Sequence, residues 1–135
     1  MTGESLAREA ERLVGRPFRL HGRDPHTGLD CIGLFVAAMG LAGSRVIVPT
    51  GYTLRISDLS RWLPDPAACD LGPATLPFQP GDVVLLQPGP GQVHLAIAAT
   101  DLAWIHAHAG QRRVVRDAAL PAGALIHHWR FKRPD

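Results

Sequence analysis

The spacing of apolar positions predicts two helices in the first third of the chain. In residues 5–14 apolar side chains recur three or four positions apart while charged side chains fill the opposite face, which is typical of an amphipathic helix. Residues 31–41 are nearly all apolar or small, which indicates a helix buried on every side, and Asp30 before them is a favourable N-cap. Residues 16–29 lack a sustained period and are predicted to form a loop.

The second half of the chain has the pattern of an antiparallel sheet. After the Pro-Gly-Asp turn at residues 80–82, short apolar runs alternate with turn residues. Five strands are predicted, at residues 83–87, 93–99, 102–107, 113–117 and 124–131. The proline-rich residues 49–80 are predicted to form an irregular insert with a short helix at 57–63, after an extended piece at 45–49. The expected fold is therefore α+β, with the helices packed on the sheet.

Composition narrows the class of protein. With 46% hydrophobic and 19% charged residues, the whole chain, residues 1–135, is expected to form one globular domain. The net charge is only +2 and the basic residues are scattered, which argues against nucleic-acid binding. No apolar run reaches the roughly 20 residues of a membrane span, and charges interrupt residues 1–16, so neither a span nor a secretory signal is expected. As synthesised, the chain is expected to be cytoplasmic.

Cys31 is the first candidate for chemistry. It begins the second predicted helix, where unpaired backbone N–H groups and the helix dipole favour a negative charge, so a lowered thiol pKa and a thiolate are expected. The same N–H groups suit the oxyanion that forms when a thiolate attacks a carbonyl. The alternative is that Cys31 is simply a small core residue. Cys69 is expected to be dispensable, and both thiols are expected to be reduced rather than paired.

A nucleophilic cysteine needs a base, and two histidines lie in one predicted hairpin. If the pairing of its strands centres on Thr100, His94 lies directly opposite His106 and both side chains share a sheet face. A strict two-residue turn would shift the register and separate the two rings. With a three-residue loop, His94 can take the thiol proton while His106 fixes its tautomer, which makes a Cys-His-His triad.

A zinc site is the alternative interpretation of these histidines. His106 and His108, with Cys31 or His94, are residue types that zinc accepts as ligands. No Cys-x-x-Cys or His-Glu-x-x-His pattern supports this alternative, so no metal or other cofactor is expected. The remaining histidines are expected to be surface or structural residues: His21, His26, His108, His127 and His128.

At these residues the sequence resembles the NlpC family of papain-like cell-wall cysteine peptidases. The family's nucleophile motif Asp-Cys-Ser-Gly-Leu is matched by residues 30–34, Asp-Cys-Ile-Gly-Leu, and its Pro-Gly-Asp turn by residues 80–82. The family's histidine strand is matched from His94 onward, and its Ile-His-Ala motif places His106 twelve residues later. The family's Gly-x-Pro-Tyr after the opening helix is matched by residues 15–18, Gly-Arg-Pro-Phe.

The resemblance implies a papain-like, NlpC-type fold with N-terminal helices packed on an antiparallel sheet of about five to six strands. It implies Cys31 as nucleophile, His94 as base and His106 as the orienting residue. It also implies the substrate, a peptidoglycan stem peptide in which D-glutamyl is linked to a diamino acid. The amide bond between these two residues would be hydrolysed.

Three further residues are expected to contact the substrate because they lie in the matched motifs: Phe18, Asp30 and Ile32. Ile32 stands where many family members have Ser, and Phe18 where many have Tyr, so two hydroxyls near the thiol are missing. The apolar residue after Cys31 and the closing Trp-Arg-Phe at 129–131 resemble the phage-derived and gene-transfer-agent branch of the family. In that branch the domain is carried on a tail particle, which implies phage-like tail proteins as partners and delivery to the cell wall.

Two other functions stay open for this pattern. A papain-like amidase or acyltransferase would use the same triad on another substrate, or pass the acyl group to an acceptor other than water. A non-catalytic phage-tail or cell-wall-binding module would keep the fold without the chemistry.

Overall fold

The computed structural model describes residues 2–44 and 70–132. In these two ranges the chain forms two helices, a two-stranded sheet and a six-stranded antiparallel sheet, so the fold class is α+β, as predicted. The helices are α1 (Gly3–Arg12) and α2 (Cys31–Leu41). The strands are β1 (Arg23–Asp24), β2 (Gly28–Leu29), β3 (Leu71–Pro73), β4 (Val83–Gln87), β5 (His94–Ala98), β6 (Trp104–His108), β7 (Arg113–Asp117) and β8 (Ala124–Phe131).

Helix α1 begins and ends two residues earlier than predicted. Its start is a capping box, in which the Ser5 N–H donates to Thr2 Oγ1 at 3.1 Å and the Thr2 N–H donates to Ser5 Oγ at 2.9 Å. Because a serine takes the place usually held by Glu or Gln, this capping signal is weak in the sequence. Leu6, Ala10 and Leu13 of the predicted apolar face are buried.

Helix α2 has the predicted bounds and packs against β5, β6 and α1. The first five residues, from Cys31 to Phe35, are all buried. Gly40 lies inside the helix, because glycine also accepts helical backbone angles. The helix ends at Leu41, shortly before Gly43, whose φ of 104° cannot continue it.

The large sheet has the strand order β3-β8-β4-β5-β6-β7. All five predicted strands form; β4, β7 and β8 have the predicted bounds, and β5 and β6 differ by one or two residues at their ends. The sixth strand, β3, lies in the range predicted as an irregular insert, so that prediction is wrong there. This strand contains a glycine and a proline and pairs along the edge of β8, a tertiary contact that local pattern does not reveal. The predicted loop at 16–29 likewise contains the short pair β1 and β2.

The hairpin of β5 and β6 has a different register from the predicted one. Ala98 is opposite Trp104, which centres the pairing one residue later than predicted. The loop has the three residues that the triad requires, but it starts one residue later and ends at Leu102 with a φ of 67°. His94 is therefore not directly opposite His106, although both keep to one face, because moving the centre by one residue moves each partner by two.

The two faces of the large sheet bury different clusters, as strand alternation requires. The face under the helices supplies most of the core, including Val83, Leu85, Leu95, Ile97 and Ile105. The opposite face buries Val84, Leu86, Ala96, Ala98 and Trp104, with Phe78 and Leu120 packed against them. We refer to this second surface as the far face.

Several predictions concern residues beyond those that the structure describes. The extended piece at 45–49, the helix at 57–63 and Cys69 lie outside the described residues. The single domain spanning residues 1–135 stays a prediction. In ranges 2–44 and 70–132, neither helix has the length and apolar character needed to cross a membrane.

Candidate active site

Asp30 builds the start of α2. Its side chain is fully buried and accepts hydrogen bonds from the N–H of Gly33 at 2.7 Å and the N–H of His21 at 2.9 Å. The Arg23 guanidinium lies 3.3 Å from the same carboxylate. Asp30 therefore caps the helix, ties the preceding loop to it and so places Cys31.

Gly33 lets that loop approach the helix. A Cβ on Gly33 would lie 1.9 Å from the carbonyl oxygen of Gly22. Any other residue would push the loop away from the first turn of α2. The Asp-Cys-x-Gly motif thus has a structural basis, because its Asp and its Gly hold the loop beside the cysteine.

The three residues predicted to contact a substrate are largely used by the fold itself. Asp30 and Ile32 are fully buried. Phe18 is partly buried and packs against the main core, and its N–H donates to the Arg112 carbonyl at 2.9 Å. In this structure, only the exposed part of Phe18 is open to contact with a substrate.

Strands β5 and β6 separate where α2 begins. Their ladder is only two residue pairs long. The backbone N–H and C=O groups of successive residues in a strand point to opposite sides. Those of Ala98 form hydrogen bonds on the β4 side, so the N–H of Leu95, three residues earlier, points toward β6. At this gap the Leu95 N–H hydrogen-bonds the Cys31 thiol. The sulfur therefore lies beside the peptide bond that joins His94 to Leu95, while strand alternation puts the His94 side chain on the same face as Ala96 and Ala98.

Burial dominates the chemistry of the thiol. Cys31 is 1% exposed, and this burial raises the pKa of the thiol to about 12. The N–H groups of Leu95, Ile32 and Cys31 itself act in the opposite direction, but they do not offset the loss of water around the anion, and the charge of Asp30 adds to the rise. The expectation of a lowered pKa and a resting thiolate is therefore wrong, and the thiol keeps its proton at neutral pH.

His94 and His106 make the contact that the triad requires. His94 Nε2 and His106 Nδ1 are 2.9 Å apart, and the rings meet edge to face at 87°. Burial lowers the pKa of His94 to about 4, with further contributions from His106 and His108. His94 is therefore neutral at physiological pH. Within the described ranges its ring hydrogen-bonds His106, and no hydrogen bond joins it to the Cys31 thiol.

Asp117 extends this pair, and sequence reasoning missed it. His106 Nε2 is 2.7 Å from Asp117 Oδ2, so His94, His106 and Asp117 form a continuous chain, which we call the histidine relay. The side chain of His106 is 5% exposed and that of Asp117 is 48% exposed. The signal was present, because pairing the predicted β7 with β6 places Asp117 opposite Trp104, diagonal to His106 and on its face.

Two of the other histidines, His108 and His128, make hydrogen bonds within the fold. The His108 ring lies 5.9 Å from that of His106, and its Nδ1 accepts the Gln111 N–H at 3.0 Å, which closes the β6–β7 turn. His128 is bonded to Asp82 at 2.6 Å. In the parts of the chain that the structure describes, no three or more His, Cys, Asp or Glu side chains converge as the ligands of a metal ion would.

A surface cavity of about 570 Å³ opens on the loop that Asp30 ties to α2. Its lining consists of residues 19–24 and Thr27. Arg19, His21 and Arg23 supply basic or hydrogen-bonding groups, and Asp24 is the acidic residue of the lining. The lining is therefore polar and carries charges of both signs, and Arg19 is an exposed basic residue in it.

The site as a whole combines a buried thiol at a helix start, a neutral histidine next to the Leu95 backbone that faces the thiol, and a relay that ends in a half-exposed carboxylate. Such a set of groups can move a proton from a thiol to an imidazole and hold the protonated ring in place. In comparisons with protein-family models and with curated proteins, the chain matches none of them.

Proposed function

We propose that this protein is a papain-like cysteine hydrolase of the NlpC type that cuts an amide bond in peptidoglycan stem peptides. Cys31 is the nucleophile, His94 the base and His106 the residue that orients it. The contact of His94 with His106 at 2.9 Å, beside the gap where Cys31 begins α2, is the observation that carries the proposal. The bond cut is the one between D-glutamyl and a diamino acid, as in the family whose motifs the sequence resembles.

Both reacting groups are neutral at rest, so proton transfer accompanies the attack. As Sγ of Cys31 adds to the substrate carbonyl, His94 takes the thiol proton and the N–H groups at the start of α2 receive the oxyanion. Collapse breaks the amide bond, and His94 passes the proton to the leaving amine, which leaves a thioester on Cys31. Water then attacks the thioester as His94 takes its proton, the C–S bond breaks to release the acid, and His94 returns the proton to Sγ of Cys31.

The cavity on the loop before α2 supports an acidic substrate. Arg19 is exposed at its wall, and Arg23 lies within it beside Asp30. A D-glutamyl residue linked through its side chain keeps a free carboxylate, and arginine is the residue best suited to hold a carboxylate. The substrate carboxylate would bind here, while the scissile bond lies at Cys31.

Digestion of purified murein tests this function. Wild-type protein, Cys31→Ala and the matched control Cys69→Ser are incubated with murein, and the released fragments are analysed by mass spectrometry. We expect γ-D-glutamyl cleavage products from the wild type and from Cys69→Ser, and none from Cys31→Ala. Equal digestion by Cys31→Ala would refute the assigned nucleophile. Hydroxylamine traps a thioester as the hydroxamate, so hydroxamate formation by the wild type and not by Cys31→Ala would report an acyl-enzyme on Cys31.

The burial of Cys31 favours a second candidate, a wall-binding module without chemistry. At 1% exposure the sulfur is out of reach of a substrate carbonyl unless the residues around it move. Such a module would sediment with insoluble murein, Cys31→Ala would sediment equally well, and neither would release fragments. Carriage on a phage-like tail particle, which the motifs imply, is compatible with both candidates.

A further inference from the structure

We infer that Asp117 is a positioning residue, which acts through His106 to fix the ring nitrogen of His94 that accepts the thiol proton. The inference rests on the proposed function and adds a residue to its machinery. It assigns Nδ1 of His94 as the basic atom and Nε2 as the nitrogen that carries the proton at rest.

The assignment follows from which groups donate and which accept. An ionised carboxylate can only accept, so the 2.7 Å contact requires that His106 Nε2 carries a proton and donates it to Asp117. A neutral His106 then has its lone pair on Nδ1. The 2.9 Å contact in turn requires that His94 Nε2 donates to that lone pair. In neutral His94 the other nitrogen, Nδ1, is then unprotonated and available as a base.

The same hydrogen bonds of the relay remain possible after His94 has taken the thiol proton. A protonated His94 keeps donating from Nε2 to His106, which stays bonded to the negative charge of Asp117. Because the side chain of Asp117 is 48% exposed, the carboxylate stays in contact with water. The hydrogen bonds of the relay are therefore compatible with both protonation states of His94.

The β6–β7 pairing makes Asp117 the residue able to do this. Asp117 is opposite Trp104 and diagonal to His106, and the residue directly opposite His106 is Val115, which cannot accept a hydrogen bond. The neighbouring acid, Asp101, pairs with Arg116 and belongs to the β5–β6 loop rather than to the relay. It therefore serves as a matched control.

The experiment compares wild type, Asp117→Asn and Asp101→Asn. An asparagine can present either its oxygen or its amide nitrogen to His106, so it no longer dictates the tautomer. For Asp117→Asn we expect kcat on the stem peptide to fall about 10- to 100-fold with KM nearly unchanged, as for other residues that orient a catalytic ligand. We expect Asp101→Asn to match the wild type.

Nitrogen chemical shifts of the His94 ring, assigned with His94→Gln, give a readout that does not depend on activity. We expect protonation at Nε2 in the wild type and a mixture or the Nδ1 form in Asp117→Asn. An unchanged His94 tautomer, or an unchanged kcat in an active enzyme, would overturn the inference. A wild type that shows the expected tautomers but leaves murein intact would instead overturn the proposed function. If Asp117→Asn does not fold, Asp117→Ser serves the same comparison.

Discussion

Two polar groups lie on the far face of the large sheet, and their carboxylates differ in burial. One is the histidine relay. The other, which we call the charged cluster, consists of Asp82, His128 and Arg130. The side chain of Asp82 is fully buried and accepts four hydrogen bonds: from His128 at 2.6 Å, twice from Arg130 at 2.8 Å and from a backbone N–H at 3.0 Å. The side chain of Asp117 is 48% exposed and has one hydrogen bond to a side chain in the described ranges. Asp82 is thus surrounded by hydrogen-bond donors, whereas Asp117 is the last group of the histidine relay.

The difference shows how burial shifts a pKa when the buried side chain has a full set of hydrogen-bond partners and when it does not. Burial alone would raise the pKa of Asp82, but hydrogen bonds from Arg130, His128 and the backbone outweigh it and lower that pKa. The contact with Asp82 in turn raises the pKa of Arg130. In the relay, burial lowers the pKa of His94 to about 4, and the ring stays neutral. The charged cluster therefore stabilises the fold, whereas the relay leaves one nitrogen uncommitted for chemistry.

Alkylation of Cys31 tests whether the thiol, and the His94 ring proposed to take its proton, are neutral at rest. In a Cys69→Ser background we expect iodoacetamide to label Cys31 slowly at neutral pH, because a pKa of about 12 in place of 9.0 lowers the thiolate fraction about a thousandfold. The rate is measured by mass spectrometry across pH, with urea-unfolded protein as the control for an ordinary thiol. A labelling rate that is fast and independent of pH below neutral pH would reveal a thiolate–imidazolium pair. The candidate site would then hold charged groups, as the charged cluster does.

Removing each carboxylate compares the stability that the two groups provide. Asp82→Asn removes the negative charge and one of the two acceptor oxygens that Arg130 and the buried His128 side chain share, so we expect a loss of about 3 to 5 kcal/mol in the free energy of unfolding. Asp117→Asn removes the negative charge from a half-exposed contact and should cost less than about 1 kcal/mol. Urea unfolding of both variants measures the difference. Equal losses would show that Asp117 is as structural as Asp82.

The elements of the fold were predictable because they depend on local pattern. The apolar run after Asp30 gave α2 its bounds, and Val83–Gln87 and Arg113–Asp117 were recognised by their apolar runs and flanking turns. Leu71–Pro73 was missed because its pairing with β8 is a contact between distant parts of the chain. The charged cluster was missed for the same reason, since Asp82 finds its donors 46 and 48 residues away.

The residues of the candidate site were predictable from the sequence, but their register and protonation states were less so. Sequence spacing paired His94 with His106, but it placed them directly opposite each other because a leucine at position 102 gives no sign of a left-handed backbone. The helix start identified Cys31, but the sequence does not show how deeply that residue is buried, and burial decides the sign of its pKa shift. Local features named the groups, and tertiary packing determined their charge states.

Acid unfolding tests His94 directly. Its ordinary pKa is 6.5 and its folded pKa is about 4, so between these values the unfolded chain binds a proton that the folded chain does not, and stability falls as the pH drops. The total loss should be about 3 kcal/mol. His106 and His108 face this ring, and Asp117 reaches it through His106. Urea unfolding at a series of pH values measures the loss.

The control variant for this prediction is His94→Gln, which cannot titrate and should lack the loss between pH 6.5 and about 4. Asp82 acts in a lower window, because its lowered pKa contributes stability that is lost only as the pH falls below 3.8. The relay and the charged cluster should therefore weaken in separate pH ranges. If His94→Gln loses as much stability as the wild type in the upper range, another group carries the effect.

The smallest predicted effect concerns the loop that sets the register of the relay. Leu102 is 44% exposed and has a φ of 67°, a conformation that strains any side chain with a Cβ. Leu102→Gly should relieve this strain and raise the free energy of unfolding by about 1 kcal/mol. Leu102→Ala is the matched control, since it removes the same exposed side chain but keeps the Cβ and the strain. Because the loop belongs to the relay's hairpin, the nitrogen shifts of His94 should be unchanged in the glycine variant if the register is kept. No gain of Gly over Ala would show that the hairpin does not hold Leu102 in a strained conformation.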